Sequence, residues 1–86
     1  MNWSEIRSKY PDTLVLVEAV SVYSKGNKRM IQEMSVVDEY NSTESAWAAY
    51  KKIHRDFPQR EFYIFHTRKE EIEVEEQRFS GVRGRA

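Results

Sequence analysis

The chain has 86 residues, no cysteine, and a formal net charge of zero from 14 basic and 14 acidic side chains. This length holds one domain with a modest core, and the absence of cysteine excludes a disulfide framework, thiol catalysis and cysteine zinc sites. The balanced charge excludes a global field that would draw the chain to nucleic acid or to a membrane surface.

Asn2 to Lys9 predicts a short helix. Asn2 caps it, and Glu5 three residues on completes a capping box. Trp3 and Ile6 share one face, which is expected to seal one side of a sheet. The N-terminus lacks the apolar core of a signal peptide. No apolar run approaches the roughly 18 residues of a membrane span. A cytoplasmic chain with no membrane partner is therefore expected. Tyr10-Pro11-Asp12-Thr13 reads as a turn.

Leu14 to Tyr23 is the strongest strand signal. It is apolar at odd and even positions alike, Leu14 and Leu16 as well as Val15 and Val17. Such a strand has neighbours on both sides and cover on both faces. Ser24 to Lys28 closes a hairpin, with Gly26 and Asn27 both tolerant of positive φ. The second strand runs from about Arg29 to Tyr40. Strict alternation puts Met30, Met34 and Val36 on one face and Ile31 and Val37 on the other, and predicts an edge strand.

Asn41 or Ser42 caps the main helix. Ala46, Ala49, Tyr50, Ile53 and Phe57 recur at helical spacing with Trp47 beside them. All six are expected in the core, while Glu44, Lys51, Lys52 and Arg55 face water. Pro58 ends the helix. Arg60 to Thr67 is the third strand. The predicted architecture is α+β: a small β-β-α-β domain of three or four strands, sheet order 2-1-3 with a right-handed crossover. The main helix packs on one face, a short helix precedes, and a charged segment follows.

After Thr67 a helical turn is expected. Beyond it, a charged helix to about Phe79 and an edge strand over Glu71–Glu75 both remain open. The domain is expected to span 1–79. Residues 80–86, with Gly81, Arg83, Gly84 and Arg85, read as a flexible basic tail. Ile72, Val74 and Phe79 are apolar residues in a very charged stretch. They are expected to dock on an apolar surface, their own sheet or a neighbour's. With Val82 and Arg83 they are the candidate interaction residues.

No catalytic or cofactor-binding constellation is evident. His54 and His66, with Asp56 or Glu61, match no metal motif spacing; a solvated helix residue and a strand-end cap account for the two histidines. Glu70, Glu71, Glu73, Glu75 and Glu76 read as a solvated acidic face. Lys25, Lys28, Arg29, Lys51, Lys52, Arg55, Arg60, Arg83 and Arg85, with Tyr23 or Tyr63, would suit single-stranded nucleic acid only if they gathered on one surface. Eleven aromatic residues are many for this length. One helix cannot cover both faces of the sheet, so the second face takes the N-terminal helix and the Ile72–Phe79 segment, or a partner.

Trp3, Tyr10-Pro11, Leu14 to Ala19, Ser35 to Asp38, Tyr63 to Thr67, Arg68 to Glu76 and Gly81 to Gly84 together resemble a family of small uncharacterised bacterial proteins. The resemblance covers nearly the whole chain. Leu14 and Phe79 stand where similar sequences often have Trp. The family carries no activity to transfer. Some relatives are encoded near retropepsin-like aspartic proteases, which implies a companion protein. The expected role is a non-enzymatic protein-interaction module, a homodimer or the partner of a companion protein, with no cofactor. A nucleic-acid-binding or antitoxin-like regulator is the second expectation.

Overall fold

A computed structural model of the chain describes residues 1–72 and 74–75. The elements run α1 (Trp3–Lys9), β1 (Leu14–Lys25), β2 (Lys28–Tyr40), α2 (Thr43–Asp56), β3 (Phe62–His66) and β4 (Val74–Glu75). The sheet has the order β3-β1-β2-β4, and every pairing is antiparallel. The two-sided apolar strand β1 is thus central, and the 2-1-3 order holds, extended by β4 on the outer side of β2.

Local chemistry sets the element ends. Asn2 accepts from the Glu5 N–H at 2.8 Å, and Glu5 accepts from the Asn2 N–H at 2.9 Å, so the capping box is closed. Ser42, not Asn41, caps α2, accepting from the Ser45 N–H at 3.1 Å. The Phe57 N–H donates to the Ile53 carbonyl at 2.9 Å, and Pro58 follows. The hairpin loop is Gly26-Asn27. Gly26 has φ +65° and Asn27 is not in positive φ. Positive φ at the first loop position alone is the type II′ pattern, which matches the twist of the flanking strands.

Three register shifts interrupt the β1–β2 ladder. Val37 and Gln32 are extra residues on β2 and Val20 is extra on β1. Each bulge moves the alternation by one residue. The expected split of Ile31 from Met34 and Val36 is therefore corrected. Ile31 and Met34 join one core, with Val36 packed against it.

That core lies between the sheet and α1. Ile6, Val15, Val17 and Met34 are wholly enclosed. Trp3 and Ile72 close its margins, and Tyr63, Phe65 and Val74 pack against it. A seven-residue helix has no stability alone. Here α1 is held by its buried face and by two long-range hydrogen bonds. Trp3 Nε1 donates to the Lys69 carbonyl, and Arg7 Nε donates to the Thr67 carbonyl, both at 2.8 Å. The same bonds fix the chain after β3. A turn at Thr67-Arg68 sends it under α1 to Ile72 and on to β4, so Val74–Glu75 is strand rather than helix.

The opposite face carries α2 over Leu16, Phe62 and Ile64. Here the prediction fails in part. Ala46 is fully buried, and Ala49, Tyr50 and Ile53 are half-buried, but Trp47 is 48% exposed and Phe57 46% exposed. The apolar stripe of α2 is wider than the strip of sheet beneath it, and its outer residues lean past the covered area. No helix among the described residues is long and apolar enough to cross a membrane.

Candidate interaction surface

The surface is built where β3 meets α2. β3 is an edge strand with β1 on its inner side. The Thr67 N–H donates to the Thr13 carbonyl at 2.8 Å, and the Ala19 N–H donates to the Glu61 carbonyl at 2.9 Å. Hydrogen-bonded pairs alternate along an antiparallel ladder. Residues 61, 63, 65 and 67 therefore turn their backbone groups toward β1. Phe62, Ile64 and His66 turn theirs outward. No strand among the described residues pairs with that outer edge, although the His66 carbonyl accepts from the Lys69 N–H at 3.1 Å.

Above the edge runs an aromatic ridge on α2. Trp47 meets Tyr50 edge to face at 5.2 Å between centroids, and Tyr50 stacks on His54 at 5.7 Å with rings 4° from parallel. Spacings of three and four residues put the three rings in one row. Tyr50 and His54 line a groove whose other wall is Arg60, Phe62 and Tyr63. Arg60 lies 5.0 Å from the centre of the Phe57 ring and 5.8 Å from that of Phe62.

The charges flanking β3 are already matched within the chain. Arg60 Nε donates to Glu18 at 2.6 Å as one arm of a forked pair. That pair holds the Glu18 carboxyl below the usual carboxylate range, chiefly through the Arg60 hydrogen bond. On the other face Arg29 forks onto Glu61, with Nε and Nη2 donating at 2.7 and 2.9 Å, and the Tyr63 hydroxyl donates to the same carboxylate. Glu61 is held low, first by the Arg29 bond and against the opposing effect of burial. Tyr63 is pushed up to about 12, first by burial and then by its bond to Glu61. At the far end Arg68 Nε lies 3.0 Å from Asp12.

The remaining predicted residues are dispersed. His54 lies toward the C-terminal end of α2, whereas His66 shares a cleft with Ser42 and Thr43 at its N-terminal end. His66 accepts from the Arg68 N–H at 3.1 Å through Nδ1. No group of three or more metal-ligating side chains exists among the described residues. Ile72 is buried in the chain's own core and Val74 sits in β4 opposite Arg29. Phe79, Val82 and Arg83 lie outside the described residues, as do Glu73, Glu76 and the basic tail. A second groove of about 240 Å³ runs between α2 and β2, walled by Leu16, Val37, Tyr40, Ala49 and Ile53. Sequence reasoning missed the β3 edge as a site. Its signal was present in the uncharged run Phe62 to His66, which carries no lysine, proline or acid to blunt pairing.

Comparison of the chain with protein-family models found no match. Comparison with curated proteins and with solved structures likewise found none.

Proposed function

We propose that this chain is a non-enzymatic protein-interaction module that works by self-association or by pairing with a companion protein. The observation that carries the reading is the aromatic ridge of α2, with Trp47 nearly half exposed, beside the outward-facing edge of β3. Large aromatic side chains left in water beside an open strand edge mark protein-binding surfaces. The resemblance to small bacterial proteins encoded near proteases supports a companion, and the lack of cysteine supports a cytoplasmic setting. Light scattering at tens of micromolar, a concentration suited to weak homodimers, is expected to give a mass above the monomer. A pull-down from the source cell is expected to retain a specific protein. A monomer that captures nothing would refute the module.

One observation favours a second reading. Lys51 and Arg55 are exposed beside Trp47, Tyr50 and His54 on α2, while Lys52 lies on the other flank of the helix, facing β2. Aromatic rings interleaved with cations suit single-stranded nucleic acid. Binding that falls steeply with added salt would select that reading over the first.

A further inference from the structure

We propose that the companion is first of all a second copy of this chain, joined edge to edge through β3 about a two-fold axis at Ile64. The inference rests on the interaction-module reading above and names its surface and register.

β1 leaves one set of β3 backbone groups without a strand partner. Phe62 and Ile64 each present an outward N–H and C=O. His66 presents an outward N–H, and its C=O accepts from the Lys69 N–H at 3.1 Å with one lone pair to spare. An antiparallel partner centred on Ile64 sets Ile64 opposite Ile64 and Phe62 opposite His66. All outward donors and acceptors then find partners. Shifting the centre to Tyr63 calls on the Arg60 N–H, which already donates to the Phe57 carbonyl at 3.1 Å. Shifting it to Phe65 calls on the Arg68 N–H, which already donates to His66. The edge is complementary to itself in one register only.

Charge agrees with that register. The strand Phe62–His66 bears no fixed charge to repel its copy. The register brings Arg60 of one copy near position 68 of the other, also an arginine. Both guanidinium groups arrive with a carboxylate attached, Glu18 on Arg60 and Asp12 on Arg68. The approach is of alternating charges rather than of two bare cations.

The operation also covers the ridge. A two-fold axis normal to the sheet keeps both α2 helices on one face, side by side across the junction. The rows of Trp47, Tyr50 and His54 then confront each other. A stable pair covers about 800 Å² on each partner, roughly an eighth of the 5995 Å² surface of this chain. A five-residue strand edge, roughly 17 Å long, is too narrow alone, and the aromatic row widens the contact.

The test uses the full chain. Proline is tolerated on an edge strand where the lost N–H faces outward. Ile64→Pro is therefore expected to leave a folded monomer while removing both central bonds. That loss weakens pairing by about 30-fold or more, the equivalent of two backbone hydrogen bonds. The expected result is a wild-type dimer by sedimentation and a monomeric variant with wild-type-like circular dichroism. A folded variant that still dimerises overturns the β3 junction and leaves the interaction-module reading intact. A wild-type monomer at tens of micromolar overturns the second copy, and a companion's extended segment takes its place on the same edge. Should the proline variant fail to fold, Ile64→Cys decides. The chain has no other cysteine, and opposed residues of a hydrogen-bonded pair lie about 5.5 Å apart, within disulfide reach. Oxidation is expected to give a covalent dimer, and a chain that stays uncrosslinked overturns the register.

Discussion

Replacing Ile6 by alanine tests whether α1 is part of the core or an ornament on it. Ile6 is 0% exposed and packs with Val15, Val17 and Met34. The substitution removes three carbons, about 2.4 kcal/mol at about 0.8 kcal/mol per buried methylene. The hole it leaves adds about 1 kcal/mol more when the neighbours relax only partly. A loss of about 3 kcal/mol corresponds to a fall in Tm of about 12–24 °C for a domain of this size. The assay is thermal unfolding followed by tryptophan fluorescence. Trp47→Phe first leaves Trp3 as the sole indole, so the signal reports on α1 itself. The Trp47→Phe background is expected to melt within a few degrees of wild type, because Trp47 stands half in water. The reasoning is refuted if Ile6→Ala costs less than about 4 °C, or if the Trp47 change costs more than the Ile6 change.

Three further outcomes follow from the same structure. Gly26→Ala should lower stability by about 1 kcal/mol or more, read as a lower denaturant midpoint at unchanged slope. No atom lies near the new methyl, so the cost is wholly that of φ +65°. Glu61 is held low in the fold, so its share of stability is present above the unfolded carboxyl value of about 4.3 and is lost as pH falls through the lower folded value. Glu61→Gln should flatten the acid limb of a Tm-against-pH curve; an unchanged limb would show that the Arg29 pair does not stabilise the fold. Tyr63 is raised to about 12, so its share is complete below the unfolded value of about 10 and is lost as pH rises through about 12. Tyr63→Phe should remove a phenol step near 12 from an absorbance titration; a missing step near 10 instead would place Tyr63 in water.

Much of this fold is written in short-range chemistry. Asn2 and Glu5 close the capping box they spell, because both partners lie within one helical turn. The apolar run at Leu14–Val17 marks a central strand, because only a strand covered on both faces gains from being apolar on both. With a helix between the second and third strands, connectivity then leaves little choice but the 2-1-3 order. Tertiary structure alone decided the rest. The sorting of Ile31 with Met34 depends on the bulge at Gln32, and a bulge is a property of two paired strands. Arg29 finds Glu61 across 32 positions of chain, and nothing near either residue announces the other. Trp47 flanks the helical stripe that Ala46 begins, and Ala46 is buried while Trp47 stands half in water. Periodicity states which way a side chain points from its helix. Whether anything lies there to cover it is settled by the width of the sheet beneath, and at Trp47 the sheet has already ended in the bare edge of β3.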